Sequence, residues 1–137
     1  MSRHITTALL ILLLNGCTVG SQSGRDETAE GGRLGEAQVE TPIRDLGTLK
    51  YGDIAGTKFK IKNIGDRPIT ISKIDNGCAC TEVRYDKGPI DGNSERVIEV
   101  IFDSSGLSGY QYKTITALLE GCETKRIKLA ITANIEY

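Results

Sequence analysis

Tryptophan is absent from this 137-residue chain, phenylalanine occurs twice and methionine once. A hydrophobic core therefore has to be assembled from Ile, Val and Leu. Histidine is nearly absent too: the one imidazole is His4, inside a segment expected to be removed from the mature protein. A chain without imidazole has no Ser-His-Asp or Cys-His catalysis, no His-ligated zinc and no His-based acid–base chemistry. The formal net charge is −1, so the basic excess of a nucleic-acid binder is missing. Three Pro against sixteen Gly exclude a Pro-rich stalk and point instead to many tight turns.

What is present begins with an export pattern. Arg3 and His4 precede an apolar run from Ala8 to Leu14, and Asn15-Gly16-Cys17 follows. A positive start, a short apolar stretch and a small residue describe a secretory signal peptide. The run is far shorter than the ~20 residues a spanning helix needs, and it lacks the one-sided stripe of a surface helix. Leu14-Asn15-Gly16-Cys17 resembles the lipobox of bacterial lipoproteins. That resemblance implies thioether lipidation of Cys17, cleavage before it and a signal peptide over residues 1–16. Two or three acyl chains suffice for stable membrane anchoring. Thr18, rather than Asp, follows the lipidated position, which directs the reading to the outer membrane, facing the periplasm.

Residues 17–38 read as the lipidated Cys and a flexible tether, rich in Ser, Gly, Gln and Glu and without periodicity. A coil of ~20 residues has an r.m.s. span of ~25 Å. From residue 39 to 137 the pattern changes to period two. Phe59 and Ile61 alternate with lysines, Ile69 and Ile71 with Thr70 and Ser72, and Ile98, Val100 and Phe102 with Val97, Glu99 and Ile101. Ile115, Ala117 and Leu119 make a further inward set, and the longest runs from Ile127 to Ile135. Ile74 falls out of step, which predicts a bulge near Lys73. With a first strand near Ile43 to Leu49 and a short one at Glu82 to Tyr85, about seven strands result. Turn signals every ~8–12 residues predict an all-β, Ig-like antiparallel sandwich. The lysines read as solvated strand faces that discourage edge pairing.

The stretch Asn76-Gly77-Cys78-Ala79-Cys80-Thr81 stands out. Together with Gly47 and Gly52, Asn63-Ile64-Gly65-Asp66-Arg67-Pro68-Ile69, Ile90-Asp91-Gly92 and Gly109-Tyr110-Gln111-Tyr112-Lys113, it resembles domain-of-unknown-function family 1573, whose signature is Cys-Gly-Cys-Thr. The likeness covers essentially the whole predicted domain, with Ala79 in place of Gly and Asp91 in place of Pro. That family is similar to the Ig-like domains of ASPM and Hydin proteins and to the bacterial chaperone sandwich, and is common in lipoproteins.

On an extended strand Cys78 and Cys80 face the same side. They are open to burial as free thiols, to a local disulfide in an oxidising compartment, or to ligation of a soft metal such as Cu(I). A bridge requires the chain to turn, because an extended dipeptide sets the Cα atoms near the ~6.8 Å limit. Strand parity puts Cys122 at the opposite end, beside Asn63 to Pro68, too distant to pair with either. The residues point to a lipid-anchored, non-catalytic module that needs no cofactor and binds a protein or envelope component rather than nucleic acid. The alternative is a thiol redox or copper-handling protein working through Cys78 and Cys80.

Overall fold

The computed structural model describes residues 34–137. The expected signal peptide, the expected lipidation site Cys17 and the segment read as tether up to residue 33 lie outside the described residues. Eight strands are formed: β1 (Ala37–Val39), β2 (Ile43–Lys50), β3 (Ile54–Asn63), β4 (Thr70–Asp75), β5 (Thr81–Tyr85), β6 (Glu95–Asp103), β7 (Gly109–Glu120) and β8 (Arg126–Glu136). They make two four-stranded sheets, in the orders β1-β3-β6-β5 and β2-β8-β7-β4. The result is an Ig-like β-sandwich with one more strand than the alternation suggests. That strand is β1, which straddles the boundary drawn between residues 17–38 and 39–137.

The period-two sets form the core. Phe59, Ile61, Ile98, Val100 and Phe102 from one sheet meet Ile71, Ile115, Leu119, Leu129 and Ile131 from the other, all buried. Opposite faces stay wet, as on β3, where the Lys60 ammonium reaches Glu95 on β6 at 2.9 Å. The irregularity expected near Lys73 is present: the β4–β7 register shifts between Ile71 and Lys73. Pairing is antiparallel except for β2, which runs parallel to β8 with a register shift between Asp45 and Thr48, where Gly47 adopts φ 75°. Periodicity reports which face is inward and carries no information on strand direction.

The sandwich has two chemically distinct ends. At one, the chain enters through Leu34 and Gly35, and the turns after β3, β5 and β7 converge, with Gly35 bridging Cys122 and Ile69 bridging Ile90. Backbones pass so closely there that a Cβ on Gly35 would lie 2.1 Å from the Ile69 side chain, and one on Gly65 2.1 Å from the Leu34 carbonyl oxygen. Asn63 sits at the centre of this junction, fully buried. Its Nδ2 donates to the carbonyls of Arg67 (2.7 Å) and Ile90 (3.0 Å), and its Oδ1 accepts from the amides of Gly65 (3.0 Å) and Glu36 (3.2 Å). All four hydrogen-bonding positions of the amide are filled. The other end gathers the β2–β3 turn, the Cys78–Cys80 segment, the β6–β7 loop and Tyr137. It is tied by Asp103 N to Cys80 O (2.9 Å) and Tyr51 N to Glu136 O (2.7 Å).

Candidate functional site at the disulfide end

β4 ends at Asp75, whose carboxylate accepts from Gly77 N at 3.0 Å. Gly77 takes φ 60°, a conformation side chains rarely adopt, and the chain swings from one sheet to the other. Asn76 Nδ2 donates to Thr81 O, and Thr81 N returns to Cys78 O at 3.2 Å. This turn draws the Cys78 and Cys80 Cα atoms to 5.2 Å, and the two cysteines are joined by a disulfide. Ala79 has no left-handed backbone, so no glycine is required between the two cysteines. Cys80 packs against the core, its sulfur 3.7 Å from Thr81 Oγ1, whereas Cys78 lines the surface. While the sulfurs are bonded to each other neither is a thiolate, so soft-metal ligation would require prior reduction.

Cys122 lies at the opposite end of the sandwich, free and buried. Its thiol donates to Thr124 O at 2.7 Å, and Lys125 Nζ donates to its carbonyl at 2.8 Å. Burial pushes the thiol pKa up, against the opposing pull of the Lys125 charge. The structure therefore brings Cys78 and Cys80 together and leaves Cys122 apart. Among the described residues no group of three or more His, Cys, Asp or Glu side chains could hold a metal ion.

Beside Cys78 a shallow groove of about 300 Å³ is lined by Asn76, Gly77, Tyr112, Lys113 and Thr114. The same end of the sandwich exposes several large side chains. Ile54 is 71% exposed, Tyr110 70%, Tyr112 53% and Tyr137 92%, and Tyr51 stacks on Tyr137 with ring centroids 5.2 Å apart. Four of the five tyrosines of the chain thus collect at one end. Sequence reading missed this cluster, because Tyr51, Tyr110 and Tyr137 are scattered along the chain. The one local signal was Tyr110 and Tyr112 at i, i+2, sharing the outer face of β7.

A family model described as protein of unknown function (DUF1573) matches residues 37–135, well over half of the chain. No curated protein matches it. Among solved structures, a protein of unknown function from Porphyromonas gingivalis W83 superimposes with TM-score 0.64 at 14% identity, over 73% of this chain and 46% of that one. The VesB protease of Vibrio cholerae gives TM-score 0.60 at 14% identity, over 74% of this chain and 32% of that one. The seventh PapD-like (ASH) domain of human CEP192 gives 0.57 at 7% identity, over 73% and 84%. The chain thus spans less than half the length of the first two. At such identities these likenesses show the fold alone.

Proposed function

The chain belongs to the DUF1573 family, and from that premise we propose that it is a lipid-anchored envelope protein whose sandwich is a non-catalytic binding module for a protein or envelope component. The observation that carries the reading is the position of the exposed tyrosines. They surround the Cys78–Cys80 end, and the chain enters the domain at the other. Tyrosine is favoured at interfaces because its ring supplies apolar contact area while its hydroxyl stays hydrogen-bonded. An anchor at Cys17 in the outer membrane would hold the Leu34 end and leave the tyrosine-rich end free to meet a partner in the periplasm.

Two arms test this in the producing bacterium. Cys17→Ser should abolish palmitate labelling and release the protein from the membrane; a mature-sized, membrane-bound product refutes anchoring through Cys17. In-cell crosslinking followed by pull-down should capture a partner with the parent chain and lose it with the Tyr110→Ala/Tyr112→Ala double variant. Capture that is indifferent to both substitutions refutes the tyrosine surface. The redox or copper reading draws on the groove beside Cys78, which gives an external thiol or a Cu(I) ion access to that sulfur once the bridge opens. It is favoured if copper co-purifies and is lost with Cys78→Ser/Cys80→Ser.

A further inference from the structure

The sandwich presents four outer strands, and each is blunted against edge-to-edge pairing. β1 has three residues. β2 and β4 each carry a register shift. β5 has five residues and places Glu82 and Arg84 side by side, 2.7 Å apart. Such devices are how sheet proteins avoid unwanted strand addition. One further stretch of edge is neither short nor shifted in register, and its one charged side chain is Lys113. β4 pairs only with Thr116 to Glu120 of β7, so the first half of β7, from Gly109 to Thr114, has a neighbour on the β8 side alone. Its register with β8 is unbroken from Gly109 to Leu118, so the exposed edge carries no bulge, and it holds no proline.

Alternation settles which backbone groups it offers. Leu119 N donates across to Lys125, on the β8 side, whereas Leu118 O is met by Ser72 Oγ of β4 at 3.2 Å. The even-numbered residues therefore direct N–H and C=O away from β8. For Tyr110 and Tyr112 no described residue accepts or donates there. The groove beside Cys78 occupies the line in which β4 would have continued. Lys113, which also lines it, makes no ion pair with any described residue.

We infer that this edge binds an extended segment of a partner protein as an added antiparallel strand, beginning beside the Asn76–Cys78 turn and running toward Gly109. The inference rests on the binding-module reading and names its mode. Five residues, about 17 Å of strand, pair with Tyr110 to Thr114. β-Branched or aromatic side chains opposite Tyr110 and Tyr112 pack on the tyrosine rings, and a carboxylate opposite Lys113 neutralises it. A second copy of the chain fits poorly, because the β7 edge itself carries no carboxylate to offer Lys113.

The probe is the blocked heptapeptide Ser-Thr-Asp-Val-Thr-Val-Ser, titrated into the full chain and followed by amide NMR and hydrogen exchange. Saturable binding is expected, with slowed exchange at Tyr110 and Tyr112. Tyr112→Pro deletes an edge N–H that has no intramolecular partner, so the fold is retained and binding falls by about tenfold or more. N-methylation of the peptide valine that faces Tyr112 should do the same on the unaltered chain. No binding at millimolar peptide, or binding indifferent to both changes, overturns the inference. A concentration-dependent dimer that Tyr112→Pro abolishes overturns it in favour of self-pairing. A chain that ignores the peptide yet captures its partner through the tyrosines keeps the module reading and loses only the edge.

Discussion

Replacing Asn63 is the sharpest test of how the domain is held together where the chain enters it. The Asn63 amide makes four hydrogen bonds, to Glu36, Gly65, Arg67 and Ile90, and is itself fully buried. Asn63→Ala strands all four partners. Those from Glu36 and Arg67 are only partly buried, so water can replace the amide there. The Gly65 amide and the Ile90 carbonyl are in buried bonds and stay unsatisfied. At about 1–3 kcal/mol for each stranded buried group, the expected loss is about 2–6 kcal/mol. With an m-value near ~1.5 kcal/mol/M, the urea midpoint should fall by roughly 1–4 M. The readout is far-UV circular dichroism or tyrosine fluorescence, since no tryptophan is present.

Asn63→Asp refines the test. It keeps the acceptor for Gly65 and Glu36 but sets a carboxylate oxygen against the carbonyls of Arg67 and Ile90. Burial and those carbonyls raise the folded-state pKa of the new carboxyl. Its contribution is therefore intact below the unfolded value of ~3.9 and is lost as pH rises through the raised one. The deficit relative to the parent should be small near pH 4 and large at pH 7. A loss under about 1 kcal/mol for Asn63→Ala, or a pH-independent deficit for Asn63→Asp, would refute the hub.

Phe59→Ala should cost about 3–5 kcal/mol and Lys60→Ala about 0.5 or less, because Phe59 is fully buried while the Lys60–Glu95 pair is exposed; equal midpoints in urea would reverse the faces of β3. In the native chain Cys122 should resist alkylation until unfolding, and mass spectrometry should recover Cys78 and Cys80 as one bridged peptide. Since burial raises the Cys122 pKa, its contribution to stability is present below the ordinary thiol value of 9.0 and is lost as pH rises through the raised one. Cys122→Ser should remove that part of the alkaline decline, and an unchanged pH profile would count against it. Cys78→Ser/Cys80→Ser should lower the urea midpoint and leave partner capture intact, whereas lost capture with unchanged stability would make the bridge part of the binding surface.

How much of this was legible in the sequence depended on whether a feature was local. Phe59 and Ile61, or Ile127 through Ile135, announce their inward face because burial repeats every second residue. Even the β4 bulge showed, as Ile74 out of phase. β1 did not: Ala37 and Val39 give only two inward positions between Glu36, Gln38 and Glu40, too short a run to differ from a polar linker. Nor did the first half of β7, where Tyr110, Gln111, Tyr112, Lys113 and Thr114 are polar or amphipathic on both faces and part of the strand read as loop. Asn63 opens a stretch with turn composition, and its local bonds, to Gly65 and Arg67, are those of a turn; its links to Glu36 and Ile90 arise only once distant segments converge. The disulfide-end surface was hidden for the same reason, its tyrosines being close in space and far apart in the chain.

The short first strand has a mechanical consequence. If the domain is held at Leu34 by its tether and at the opposite end by a bound partner, tension runs along its length. Gly35 and Glu36, bonded to Glu123, Ile64 and Asn63, lie first in the load path, and β1, three residues long with partly buried side chains, follows them. Behind it β2 pairs with β8 in parallel in two runs, Ile43 to Asp45 and Thr48 to Lys50, and the bonds within each run must shear together. Under strain this entry segment would peel first, parting Gly35 from Glu123, Glu36 from Asn63 and Ile64, and β1 from β3, and it would release residues 34–41 as about 27 Å of slack before Pro42, bonded to Ala130 of β8, takes the load. The domain thus carries a built-in extensible leash, one that lengthens before its grip fails.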